Sequence, residues 1–391
     1  MSNLTLPLGF RASGVAAGIK KNGKTDIAMI ASDTDCAAAA VFTTNKVKAA
    51  PVLRGMQQIG VGRPIRAVVI NAGCANACTG RQGMLNASET ANVAAKELHI
   101  KGNAVFVMST GVIGVQLPIE KLQAGVPQAV AALSVDGFAA ASNAIMTTDT
   151  VPKTATAEVA HGDKTVRFAG MAKGAGMIHP NMATMLSVVV TDAVVDARVL
   201  RMALKQAAKR SFNRISVDGD TSTNDTLLVL ANGASGVKLT AKELSTALTA
   251  ISVDLAKQVA RDGEGATKFI TIEVTGAKTE RMAENIGRTI AKSPLVKTAF
   301  YGEDANWGRI VCAAGYSGED VIPEKMSLWF SDVHVFAKGT PTKYSEQAAT
   351  DAMKPHDVAI RLDLGQGSAA ATVWTCDFSH EYVTVNGKYR T

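Results

Sequence analysis

A threonine at the mouth of a strand, with a small residue before it, can become an N-terminal nucleophile. Ala183-Thr184 has that form, because the apolar run 185–191 follows it at once. Upstream, from Lys173, the glycines Gly174 and Gly176 and the proline Pro180 make an irregular approach. The Thr184 hydroxyl can attack the Ala183 carbonyl through a five-membered ring. The acyl group then moves from nitrogen to oxygen, and water splits the ester. The freed α-amine, with an ordinary pKa of about 7.7–8.0, can act as general base for its own hydroxyl. Spacing alone does not separate this from the commoner case of a threonine that merely opens a strand.

The polar groups nearby read differently. His179 is expected to be a loop residue, since the terminal amine already fills the role of base. Asp218, Asp220 and Asp225 lack the spacing of a calcium loop, and a hydrogen-bonded turn is expected there. Cys74 and Cys78 have no second Cys or His pair at zinc spacing, so no metal site is expected. The five cysteines, an odd number in a long chain, read as buried reduced thiols. No Walker loop, HExxH pair or dinucleotide fingerprint occurs.

These residues must be held by the elements around them. Residues 27–31, 40–43, 67–71 and 104–108 read as buried strands, with a helix over 86–98. Strands follow at 165–168, 185–191, 227–231 and 269–274, and a helix over 196–209 begins at Asp196 as N-cap. Thr240 and Glu243 form a capping box. Leu244, Leu248, Ile251, Leu255 and Val259 then share one helical face until Gly263 and Gly265 stop the helix. Met282, Ile286 and Ile290 repeat the pattern over 280–290, and strands are expected at 327–330, 333–336, 359–364, 370–376 and 382–385. This interleaving favours a layered α/β or α+β sandwich over a single doubly wound sheet.

The 391 residues suit two or three domain-sized units or one large α/β body. Aromatics are only 5%, so the core must come from Ala, Val, Ile, Leu and Met. Lys and Arg outnumber Asp and Glu by 41 to 34 with no block of like charge, which argues against nucleic-acid binding. The first residues lack the basic and apolar regions of a signal peptide, and no apolar run is long enough to span a membrane. A soluble, cytoplasmic protein without membrane contact is expected.

The string Lys173-Gly-Ala-Gly-Met-Ile-His-Pro-Asn-Met-Ala-Thr-Met-Leu resembles the self-cleavage motif of the ornithine acetyltransferases, the glutamate N-acetyltransferases of arginine biosynthesis. Segments 71–80, 109–114, 145–150, 216–226, 262–268, 301–309 and 385–391 resemble that family's blocks in the same order. The resemblance implies a cut that leaves residues 1–183 as an α chain and 184–391 as a β chain opening on Thr184. It also implies the layered architecture of self-cleaving N-terminal-nucleophile enzymes and an α2β2 heterotetramer. Thr184 would take acetyl from N-acetylornithine, release ornithine and pass the acetyl group to glutamate. Thr110 and Gly111 match the family's oxyanion-hole pair, a role that a Ser-Thr-Gly turn after strand 104–108 suits.

Thr147, Lys173, Glu264, Asn386 and Thr391, with Thr184, match its substrate-contacting positions, although Thr148 and Thr150 lie close enough to Thr147 for the alignment to slip. Lys173 suits a carboxylate and Glu264 an amine. No cofactor is implied. Three alternatives stay open. One is a bifunctional enzyme that also uses acetyl-CoA as co-substrate. Another is an N-terminal-nucleophile amidase or peptidase, and the third is a non-catalytic binding protein.

Overall fold

The structure is a computed structural model that describes residues 5–179 and 185–388. Ala183, Thr184 and Thr391 lie outside the described residues. In chain order the strands are β1 (Phe10–Val15), β2 (Ile27–Phe42), β3 (Ile65–Cys74), β4 (Val105–Val112) and β5 (Lys153–His161). They continue as β6 (Lys164–Lys173), β7 (Leu186–Thr191), β8 (Ile215–Ser216), β9 (Thr226–Ala231) and β10 (Phe269–Ala277). The last are β11 (Ser327–Phe330), β12 (Val333–Ala337), β13 (Thr340–Pro341), β14 (Asp357–Asp363) and β15 (Ala369–Cys376). Two compact units emerge. Of the described residues, those up to Gly174, 185–213 and 221–255 form the first, and 175–179, 214–220 and 256–388 form the second.

The first unit is built on one mixed sheet in the order β4-β3-β2-β9-β7-β6-β5, with β1 paired to β2. Its organising element is β2. The two strands expected at 27–31 and 40–43 are one strand of 16 residues. The polar stretch Ser32-Asp33-Thr34-Asp35 is a shift of register against β3 between Ala31 and Cys36, not a break. Before the shift β2 pairs with β1 and β3; after it, residues 37–42 pair with β9. The two halves of the sheet share one core. Ala28, Ile30, Val68, Ile70 and Phe106 from one half meet Ala169, Met171, Val188, Val190 and Leu228 from the other. On the outer side of the β3–β4 half, Met29, Val69 and Val107 pack against Ala91, Ala94, Leu122 and Val126 of the helices Gly80–Glu97 and Ile119–Ala131. Beyond the other half lies the helix Ala241–Arg261, whose Ile251 and Leu255 come within contact of Gly170 in β6. The layers therefore run helix, sheet, sheet, helix, as alternating side chains on strands buried on both faces require.

The second unit carries a seven-stranded mixed sheet, β13-β12-β11-β14-β10-β15-β8. Ile270, Ile272 and Val274 of β10 pack with Val358, Ile360 and Leu362 of β14 and with Met282, Ile286 and Ile290 of the helix Glu280–Lys292. Several local readings hold. Asp196 accepts from the amides of Arg198 and Val199, and Thr240 and Glu243 bond reciprocally. The strand expected at 382–385 does not form; the segment is the helix His380–Gly387, capped by Ser379 Oγ, which accepts from the Glu381 amide. Among the described residues no helix is long and apolar enough to cross a membrane.

Candidate active site

In the first unit the site is built at the end of β4. Thr110 and Gly111 do not form a turn after the strand; β4 runs through them to Val112. The reason is the pairing of β4 with β3, where Gly111 lies opposite Gly73 and the register slips at Cys74. Both glycines have positive φ, +133° and +105°. A Cβ on Gly111 would lie 2.3–2.6 Å from the backbone of Gly73 and Cys74, so no larger residue fits without moving β3. This close approach twists the strand end and leaves Thr110 at a bulge. Below it, Ser109 Oγ donates to Asn71 Oδ1 at 2.6 Å, and Asn224 Nδ2 donates to the carbonyls of Ser109 and Ala75. Segments 71–80, 109–114 and 216–226 thus meet through one buried amide network.

Lys173, at the end of β6, is buried and donates to Thr110 Oγ1 at 3.2 Å. Asp149 closes the other side. Its Oδ1 accepts from Lys153 Nζ and from the Gly174 amide, each at 2.6 Å, and its Oδ2 accepts from the Thr147 amide at 2.9 Å. Burial opposes its charge, yet Lys173 and Lys153 hold the carboxyl well below the usual carboxylate range. Thr147 is therefore tied to the site through its backbone, by way of Asp149. Two further groups complete the surroundings. Burial pushes Lys20 down to about 8, against the pull of Asp26 and Asp149, and its ammonium donates to the carbonyls of Thr25 and Ala144. Burial pushes the Asp225 carboxyl well up, and among the described residues its Oδ2 has no hydrogen-bond partner.

The second unit has a buried carboxylate of its own. Glu264 is buried between Gly263 and Gly265, its amide donates to the Ala175 carbonyl at 2.9 Å, and Asn386 Nδ2 donates to its Oε2 at 2.8 Å. A Cβ on Gly176 would lie 2.3–2.5 Å from that carboxyl group, so residue 176 must be glycine for Glu264 to lie where it does. Asp218 accepts from the amides of Met177 and Ile178 and of Asp220, the turn role expected of this aspartate cluster. His179 has both ring nitrogens engaged, Nδ1 with Ser216 Oγ and Nε2 with Arg288. Burial, Arg288 and Lys292 push its pKa down to about 3, which keeps the ring neutral.

Asn71, Asp149, Lys153 and Asn224 were not singled out from sequence. All but Lys153 lie inside the quoted segments, but a string of polar residues does not say which one points inward. The cysteines also divide: Cys36, Cys74 and Cys376 are buried, but Cys78 and Cys312 are exposed, and all five are unbridged. Among the described residues no cluster of three or more His, Cys, Asp or Glu is disposed to hold a metal ion.

The sequence matches the model of the ArgJ family over residues 11–391. The arginine biosynthesis bifunctional protein ArgJ of Symbiobacterium thermophilum is 50% identical over 398 residues, covering 99% of this chain and 98% of the relative. A mitochondrial protein of the same name from Sordaria macrospora is 48% identical over 419 residues, covering 99% of this chain and 89% of the relative. The crystal structure of the bifunctional ArgJ protein of Bacillus halodurans superposes with a TM-score of 0.50 at 43% identity, covering 51% of this chain and 97% of that one.

Proposed function

As the chain belongs to the ArgJ family, and so to the acyltransferases of arginine biosynthesis, we propose that it moves acetyl from N-acetylornithine to glutamate through an acetyl ester on Thr184. The observation that carries the reading is the Lys173–Thr110 hydrogen bond at the glycine bulge of β4. With Lys173 donating into the Thr110 oxygen, the threonine's own hydrogen is free for another acceptor. Beside the Gly111 amide, it makes a donor pair suited to a developing oxyanion. The free α-amine of Thr184 takes the hydroxyl proton as the oxygen attacks the acetyl carbonyl. The C–N bond breaks, the amine of ornithine leaves with the proton, and glutamate's amine then attacks the ester. Lys173 holds a substrate carboxylate, and Glu264, oriented by Asn386, holds the distal ammonium of ornithine. Thr147 and Thr391 complete the substrate-contacting set.

The same chemistry makes the nucleophile. Attack of Thr184 on the Ala183 carbonyl yields an α chain of residues 1–183 and a β chain of 184–391, which assemble as α2β2 in the cytoplasm. The solved Bacillus halodurans chain supports a cut, since it is matched over 97% of its length by 51% of this chain, the proportion expected of one fragment. The word "bifunctional" in the names of all three relatives favours a second activity, acetylation of glutamate from acetyl-CoA.

Intact mass and N-terminal sequencing of the purified protein test the cut: the shorter-lived precursor gives way to two fragments, the second reading Thr-Met-Leu-Ser. Thr184→Ala is expected to stay uncut and to transfer no acetyl. Assay of glutamate acetylation with N-acetylornithine, and then with acetyl-CoA as sole donor, tests the two activities. A fully uncut yet active preparation overturns the nucleophile assignment. Release of acetate without transfer to glutamate returns the amidase reading.

A further inference from the structure

We propose that Asn224 is a positioning residue of the acetyl-transfer site: its side-chain amide clamps the backbone on both sides of the glycine bulge and so aims Thr110 at the developing oxyanion. The inference rests on the acetyl-transfer reading of that site. The bulge needs such a clamp. Among the described residues β4 is the last strand in its sheet's order, with β3 as its one strand neighbour. Where the two strands end, the facing residues are Gly73 and Gly111, which have no side chains to pack and positive φ. Thr110 sits immediately before this pair, and misplacing a catalytic group by about 1 Å can cost roughly 100-fold in rate.

Two asparagine side chains supply the restraint. Asn71, in β3, accepts from Ser109 Oγ at 2.6 Å and donates to the Cys74 carbonyl at 2.8 Å. Asn224 Nδ2 donates to the Ala75 carbonyl at 2.6 Å and to the Ser109 carbonyl at 2.8 Å, so both its hydrogens are used. Its Oδ1 accepts from Thr223 Oγ1 at 2.6 Å, which sets the way the amide faces. The Ser109 carbonyl and the Thr110 amide share one trans peptide plane and point opposite ways. Holding the carbonyl therefore fixes the Thr110 backbone from which the hydroxyl reaches Lys173 Nζ. The clamp also stands on a frame of its own. The Thr43 amide donates to the Asp225 carbonyl and the Ala49 amide to the Thr223 carbonyl, each at 3.0 Å, and Thr43 Oγ1 donates to the Ser222 carbonyl at 2.8 Å. Loss of the Asn224 amide thus leaves this segment in place and frees the bulge. Two residues on, the Thr226 amide donates to the Met185 carbonyl at 2.9 Å, so the same segment bears on the strand that follows residue 184 and on the end of β4.

The test is a double-mutant cycle of Asn224→Leu and Thr110→Val, made in the full chain and measured on cut protein as acetyl transfer from N-acetylornithine to glutamate. Asn224→Leu keeps nearly the same shape and loses both donors. It is expected to lower kcat roughly 10- to 100-fold with a smaller change in KM for N-acetylornithine. Because Asn224 acts through Thr110, the double variant should fall no more than about twofold below Thr110→Val alone. A merely structural residue would lower activity by the same factor with or without the Thr110 hydroxyl, so losses that multiply overturn the proposal. An unchanged kcat in Asn224→Leu, or a raised KM at normal kcat, overturns it too. Should Asn224→Leu not fold, Asn224→Ala takes its place in the cycle, since its smaller side chain leaves room for water at the two carbonyls. If neither variant gives folded, cut protein, Asn224 is a structural residue and the proposal falls. Wild-type protein that transfers no acetyl would instead sink the functional reading, which the same assay detects first.

Discussion

Thr110 receives a hydrogen bond from a buried lysine and sits one residue from a glycine that no side chain can replace without moving β3. These two facts assign it a different experimental value from Gly111. Gly111→Ala would push a methyl group into the Gly73 and Cys74 backbone, so lost activity would be entangled with lost sheet pairing. Thr110→Val is nearly isosteric and removes only the hydroxyl. If that hydroxyl donates to the oxyanion, kcat should fall by roughly 10²- to 10³-fold, corresponding to about 2.7–4 kcal/mol of transition-state stabilisation. KM for N-acetylornithine should change little, because the groups assigned to the substrate's ends are untouched. Steady-state kinetics on cut protein checks this; a raised KM with normal kcat would make Thr110 a binding residue. The pair was legible as a motif, but its setting was not. A Ser-Thr-Gly string reads as a turn, and only the pairing with Gly73 shows why the strand continues. Asp149 was hidden for a related reason: in Thr147-Thr-Asp-Thr every residue is polar, and burial alone singles out the carboxylate.

At the scale of elements, the legible parts were those with long periodicity or a cap. The helix Ala241–Arg261 shows its buried face in five apolar residues, and its start in Thr240 and Glu243. The segment Tyr382-Val-Thr-Val had only four residues to judge by, and their β-branched and aromatic character points to a strand. Tertiary contacts override that preference. Ser379 caps the helix, Phe378 and Tyr382 stack with ring centroids 4.6 Å apart across one turn, and Asn386 reaches Glu264 one turn further on. The helix therefore has a task, which is to present Asn386 to the buried carboxylate. Ser379 Oγ also donates to the Gly265 carbonyl at 2.5 Å, so one hydroxyl ties the helix start to the Glu264 loop. Ser379→Ala should lose about 1 kcal/mol of capping and loosen both. The expected result is a several-fold rise in KM for N-acetylornithine with kcat nearly constant, accompanied by a small fall in Tm. An unchanged KM would show that the cap serves stability alone and that Asn386 is held by other contacts.

Across the whole molecule, chain order and spatial order part company on either side of residue 184. Strands β7 and β9 come after it in sequence, yet in the first unit's sheet they lie between β2 and β6, which come before it. This insertion could not be read from the sequence, because parallel pairing of β7 with β9 depends on a crossover that includes the helix Ala197–Arg210. The second unit is also shared. Residues 175–179 belong to it, with the Ala175 carbonyl accepting from Glu264 and the Ile178 carbonyl from Val217. A cut before Thr184 would therefore divide the first unit's sheet and core between two fragments, and residues 1–183 would own no complete sheet. Residues 1–183 alone would lack β7 and β9, leaving β6 and the second half of β2 with unpaired edges and an open apolar face. The fragments are expected to co-elute through native chromatography and to separate only in denaturant. Residues 1–183 expressed alone should be insoluble, and co-expression with 184–391 should restore soluble material. Separation of the two fragments in native buffer, or a soluble 1–183 fragment with a cooperative unfolding transition, would overturn the interleaved arrangement as the bond between them.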